Sequence, residues 1–156
     1  MSTPGYVIET AGALALTGAT AKTILSVISA ANAINRITAF SVSFDGVTAT
    51  AVPVLVELCY STQATAGTPT GGTFTPTQIR GATRTCQATG SRNYSAEPTV
   101  ITTYLPFLVP AFMGSLTLQF PLGREPEQIV TADALLLRCT APAAVNVRGW
   151  IEFEEG

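Results

Sequence analysis

Apolar side chains in this chain recur at every second residue over long stretches. Phe40, Val42 and Phe44 alternate with Ser41, Ser43 and Asp45, and Val52, Val54, Val56, Leu58 and Tyr60 keep the same period. Leu116, Leu118 and Phe120 repeat it. A strand turns successive side chains to opposite faces, so this pattern predicts half-buried strands. Near the C-terminus Val145, Val147, Ile151 and Phe153, with Gly149 between them, form one face. The other face carries Asn146, Arg148, Trp150, Glu152 and Glu154, turned toward solvent or a partner. Leu135–Leu137 is a short continuous apolar run, as expected for a strand buried more deeply.

Turn signals separate these strands: Thr17-Gly18, Asn32 to Asn35, Asp45-Gly46, Thr89-Gly90, Glu97-Pro98, Leu122-Gly123 and Ala141-Pro142. Ala21–Arg36 fits two templates. Ile24, Leu25, Ile28, Ala31 and Ile34 lie near helical spacing, whereas Thr23, Ile24, Val27 and Ile28 are β-branched and favour a strand. A strand over Lys22–Ala30 followed by a tight turn is the better reading. Residues 61–78 are rich in Thr, Gly and Pro, with Phe74 the only aromatic, and predict one long loop. With no repeat and no second composition regime, residues 1–156 predict a single all-β domain. Its expected form is an antiparallel β-sandwich of about eight strands.

Composition narrows the function. Only 12% of residues are charged, about half of the ~25% usual in soluble domains, and the net charge is −2. That balance argues against direct nucleic-acid binding, which favours strongly basic surfaces. The apolar stretch from Tyr104 to Leu118 is interrupted by Pro106, Pro110 and Gly114, so no membrane span is expected. The first nine residues hold Glu9 and no basic residue, unlike a secretory signal. Cys59, Cys86 and Cys139 are odd in number and lack Cys-x-x-Cys spacing, which predicts buried free thiols.

Histidine is absent, which removes imidazole-based triads, Cys–His nucleophiles and His-ligated metals. There is no Gly-x-Ser-x-Gly elbow and no phosphate-loop motif, and Lys22 is the only lysine. Glu125, Glu127 and Asp133 are the remaining candidates for paired-carboxylate chemistry, but they flank Pro and Gly as turn residues do. The expectation is a protein with no enzymatic activity, no cofactor and no metal.

Two features point to a partner surface. Arg80, Arg84 and Arg92 form a local positive strip that suits an acidic surface, or the chain's own Glu152, Glu154 and Glu155. In the run Tyr104–Met113, Pro106 and Pro110 remove ladder donors, so the strand carrying Phe107 should lie at an edge or bend. An apolar edge invites pairing. Together with the low charge, it predicts a surface covered by another protein or by further copies of this chain.

Several phrases resemble small structural proteins of tailed bacteriophages. They are Phe44-Asp-Gly46, Val56-Glu-Leu-Cys-Tyr-Ser-Thr62, Ala96-Glu-Pro-Thr99, Pro121-Leu-Gly-Arg-Glu125 and Thr140-Ala-Pro-Ala-Ala-Val-Asn-Val-Arg148. The resemblance is to capsid decoration (cement) proteins and implies a jelly-roll-like sandwich. It also implies a homotrimer on the outer surface of the virion, made in the bacterial host cytoplasm and bridging subunits of the major capsid protein. The alternative class is a carbohydrate-binding β-sandwich of a phage spike or tail. For that class Trp150, between Arg148 and Glu152 on the outward face, is the best candidate contact.

Overall fold

The apolar faces of the alternating segments find partners in a facing sheet. The computed structural model describes residues 3–62 and 67–156, and in them the chain forms strands with no helix. In chain order the strands are β1 (Gly5–Glu9), β2 (Leu14–Leu16), β3 (Thr20–Ile28), β4 (Asn35–Phe44) and β5 (Val54–Ser61). Then come β6 (Thr68–Pro69), β7 (Thr73–Phe74), β8 (Thr77–Arg80), β9 (Thr89–Arg92) and β10 (Tyr94–Ala96). The last five are β11 (Ile101–Val109), β12 (Ser115–Gln119), β13 (Glu127–Gln128), β14 (Ala134–Ala141) and β15 (Val145–Glu155).

These strands build two facing antiparallel sheets. The first has the order β12-β4-β15-β1-β8, with β13 also paired to β4 and β2 to β15. The second has the order β11-β5-β14-β3-β9-β7, and β10 and β6 form a separate ribbon. Tyr6, Phe40, Val42, Ile151 and Phe153 from the first sheet meet Ile24, Val56, Leu58, Leu135 and Leu137 from the second in one buried cluster. Such a β-sandwich is the solution expected when each sheet has one apolar face to hide.

Individual residues explain the details. Residues 20–28 are a strand, as the β-branched side chains require, and the chain then turns with Asn32 at φ 61°. Asn tolerates that left-handed backbone better than most residues. β14 is central in its sheet and buried on both faces: Leu135 and Leu137 enter the inter-sheet core, while Leu136 packs with Cys59 on the opposite face. That two-sided burial is why Leu135–Leu137 is apolar without alternation. In β15 the inward faces of Val147, Ile151 and Phe153 are interrupted at Gly149, where an added Cβ would lie 3.1 Å from Ile24 Cδ1.

Two expectations needed adjustment. The alternation beginning at Val52 enters a strand only at Val54, and Val52 lies in an exposed loop after a turn closed by Ala51 N–H donating to Thr48 O. The segment 61–78 is not one structureless loop. It contains β6, β7 and the start of β8, and residues 63–66 of it lie outside the described residues. Thr and Pro at β6 and Thr and Phe at β7 pair with β10 and β9 as short edge pieces, too brief to show a period of two.

Candidate functional site

One end of the sandwich is apolar. It is built by the turns after β4, after β11 and after β14, which are tied together by backbone bonds. Met113 N–H donates to Gly46 O at 3.1 Å, and Phe44 N–H donates to Gly114 O at 2.9 Å. Gly46 is required there, because an added Cβ would stand 2.3 Å from the Ala111 carbonyl oxygen. The Asp45 carboxylate accepts the Asn146 N–H at 2.9 Å and its side-chain amide at 2.8 Å. Those bonds favour the ionised form and hold the Asp45 carboxyl below its ordinary range.

Between these turns lies a cleft of about 670 Å³, lined mainly by small apolar residues such as Leu16, Ala51, Ala111 and Val145. Around it Val47 is 87% exposed, Val52 64% and Met113 75%, with Phe112 also exposed. Leu108 on β11 is a further exposed apolar side chain, 72% exposed. Contiguous apolar surface of this kind marks interaction sites, because leaving it in water is unfavourable.

β11 does occupy an edge of the second sheet, as its prolines require. Pro106 sits opposite Glu57 in the ladder to β5, and the register shifts between Thr103 and Leu105. Pro106 and Pro110 are exposed. Phe107 is half-buried, with its ring centroid 6.2 Å from that of Phe40, so Leu108 is the larger apolar side chain turned outward.

The arginines do not form one free strip. Arg80 Nη2 lies 2.7 Å from Glu154 and 3.6 Å from Glu152, so the acidic end of the chain is its partner. Arg92 stacks on the Phe74 ring at 4.2 Å and pairs with Glu9 at 3.5 Å. Because β1 carries Gly5 beside Arg80 and ends at Glu9, the two arginines stand about 14 Å apart along it. Arg84 makes no ion pair among the described residues. Its main chain fixes the turn, accepting the Tyr6 hydroxyl at 3.0 Å and donating to Gln78 at 3.1 Å. From β9 to β11 there are four interstrand steps, roughly 19 Å, so Arg92 and the proline-bent strand are separate surfaces, and Arg80 lies on β8 in the other sheet.

The carboxylates have structural partners. Glu127 pairs with Arg36 at 3.0 Å, Glu125 accepts the Gly123 N–H at 2.7 Å, and Asp133 accepts the Tyr60 hydroxyl at 2.6 Å. Cys59, Cys86 and Cys139 are buried free thiols. Burial, followed by the neighbouring Glu155 carboxylate, pushes the Cys86 thiol up to about 12, and burial also raises Cys139. A nucleophilic thiol needs the opposite environment. Among the described residues no group of three His, Cys, Asp or Glu side chains is placed to hold a metal.

Trp150 lies on the outward face of the first sheet, between Arg148 and Glu152, opposite Ser41 of β4 and Glu9 of β1. It lines a shallow cleft with Ser41, Ser43 and Arg148. The apolar end left no comparable trace in the sequence. Its turns carry short apolar groups such as Val47 with Val52, and Ala111 to Met113, and a turn has no period to reveal which way they point. No family model matches the chain, and no curated protein or solved structure is significantly similar to it.

Proposed function

We propose that this chain is a structural virion protein that decorates and stabilises the head of a tailed bacteriophage by binding the major capsid lattice. The observation that carries the reading is the apolar end, where Val47, Val52 and Met113 stand in water around a 670 Å³ cleft. A surface that is costly to leave bare and tied down by backbone bonds suits permanent contact with another protein. The resemblance of Phe44-Asp-Gly46 and Thr140–Arg148 to decoration proteins supplies the identity of that partner, and both phrases border this end.

The strand order supports a jelly-roll winding. Strands of five residues or more fall into β12-β4-β15-β1 and β11-β5-β14-β3, and the chain changes sheet at every step among them except β5 to β11. Jelly rolls combine two sheets and two Greek keys in this way.

Stabilisation then follows from linkage: a protein that binds only the assembled lattice favours the assembled state. A homotrimer presents three such ends at once, and effective concentration makes weak contacts persistent. The reaction is binding alone, on the outer surface of the virion.

The test is occupancy of purified heads. Val47→Asp with Met113→Asp places two charges in the apolar end while touching only exposed side chains, so the fold should survive. The expected result is loss of head binding with an unchanged melting temperature. Heads that bind the double variant as well as the native chain would overturn the assignment of this surface. Undecorated heads that rupture at the same temperature as decorated ones would overturn the stabilising function itself.

A further inference from the structure

The outward face of the first sheet carries a groove whose chemistry differs from the apolar end. Two adjoining clefts, about 220 Å³ and about 280 Å³, share Ser43 and Arg148. The first contains Trp150, Ser41 and Glu9, and the second contains Asn146 and Asp45. The floor is β15 from Asn146 to Trp150, a run of roughly 14 Å, with β4 beside it. The segment between β1 and β2 forms the other side. There Ala11 (φ 54°) and Gly12 (φ 129°) take left-handed backbone and Glu9 accepts the Ala11 N–H.

Several polar groups in this groove are unused. The Trp150 indole N–H, the Arg148 guanidinium and the Ser43 hydroxyl have no hydrogen-bond or ion-pair partner among the described residues. The indole N–H is also not sealed from solvent, since among the described residues the buried unpaired side-chain atom is Asn35 Oδ1. Acceptors stand beside these donors: Glu9, whose side chain is 58% exposed, and Asp45. Charge is balanced locally, with Arg148 near Asp45 and Glu9 paired to Arg92.

We propose that this groove binds a neutral saccharide. Trp150 is the platform on which the C–H face of a pyranose ring lies, because an aromatic face is apolar and electron-rich. Arg148, Ser43 and the indole N–H donate to sugar oxygens, and Glu9 and Asp45 accept from sugar hydroxyls. A hydroxyl both donates and accepts, which matches a groove of interspersed donors and acceptors. A charged ligand of either sign would upset the local balance. Small apolar platforms with a few placed polar groups are the usual build of ligand sites. This site borders the apolar end, sharing Asp45 and Asn146 with it, but Trp150, Ser43 and Arg148 lie outside that end, and the proposal does not rest on the capsid reading.

Trp150 is the only tryptophan, so its emission reports on the groove. The experiment is a fluorescence titration of the purified chain with maltotriose, cellotriose and mannotriose, and with trigalacturonate as the charged comparison. The expected result is a saturable change with at least one neutral trisaccharide, at a dissociation constant of about 1 mM or tighter. Arg148→Ala should weaken it about tenfold, and Ser43→Ala to a smaller degree, because bonds from a charged donor are the stronger ones. Both side chains are exposed, and unchanged circular dichroism confirms folding of each variant. Emission unaffected by every neutral probe at about 20 mM, far above that constant, would overturn the proposal. So would a response that both substitutions leave untouched, or a preference for trigalacturonate. Head occupancy is measured separately, so failure here leaves the capsid reading standing, and the reverse.

Discussion

Arg138 and Glu57 face one another across neighbouring strands of the second sheet, with Nη2 at 2.8 Å and Nε at 3.0 Å from the same carboxylate oxygen, Oε2. The other oxygen, Oε1, accepts the Thr103 hydroxyl at 2.8 Å. The Glu57 side chain is only 9% exposed. A carboxylate so enclosed is tolerable because both oxygens are occupied.

Glu57→Ala should therefore destabilise the fold by about 3 kcal/mol, since it strands a largely covered guanidinium. Replacing Glu57 and Arg138 together by Ala should recover part of that loss, since no charge is then stranded. Urea unfolding midpoints of the two singles and the double provide the cycle, and a double variant no more stable than Glu57→Ala would contradict this account.

Glu155 anchors the end of β15 to the turn before β9. Its buried carboxylate accepts the N–H groups of Gln87 and Ala88 at 2.9 and 2.7 Å, and the Cys86 thiol at 3.4 Å. Glu155→Gln turns an amide donor toward donors and should cost about 2 kcal/mol. Hydrogen exchange at the Gln87 and Ala88 amides should quicken; rates equal to those of the native chain would show the turn holds without the charge.

Alkaline pH should unfold this protein through its thiols. Cys86 is raised to about 12 and Cys139 and Cys59 are raised as well, all chiefly by burial, against an unfolded value of 9.0. A raised folded value means stability is fully present below about pH 9 and is lost as pH climbs toward the folded values. Each thiol kept protonated across that interval costs about 1.4 kcal/mol per pH unit. Melting temperature should be flat from pH 7 to about pH 8.5 and fall beyond it. At neutral pH a disulfide reagent should find the thiols only after denaturation, and rapid labelling of the native chain would show that they are not enclosed.

Arg84→Ser is a cleaner probe of an acidic partner than substitution of all three arginines. Arg80 and Arg92 hold Glu154 and Glu9, so losing them alters the molecule itself, by up to about 1 kcal/mol each for such part-exposed pairs. Arg84 lacks an ion pair among the described residues, and its turn is held through its main chain. The expected outcome is unchanged melting for Arg84→Ser, with head occupancy lowered more at low salt than at high salt. Occupancy independent of salt would leave the apolar end as the whole interface.

The period of two made the long strands and the inward faces of β4, β5 and β15 legible, and Pro106 marked β11 as an edge or bend. Charge offered the acidic C-terminal strand as one of two matches for the three arginines together, and only Arg80 takes it. Glu57 and Glu155 were not legible as buried anchors: a carboxylate on a strand reads as solvent-facing unless its distant partners, Arg138 and Gln87, are known. The loop expected over residues 61–78 failed for another reason. Two-residue strands of Thr, Pro and Phe take their conformation from the ladder they join, and β9 and β10 lie up to about thirty residues further on.

The position of β15 governs when this molecule can come into being. It is the last strand in the sequence, yet it lies at the centre of the first sheet, bonded to β4 on one side and to β1 and β2 on the other. During synthesis β1 and β4 must therefore wait, unpaired to each other, until residues 145–155 leave the ribosome. Contacts so distant in sequence close slowly, and a waiting strand edge is open to wrong partners. Ribosome-stalled chains ending before Val145 should be protease-sensitive, and those extended past Glu155 should be resistant.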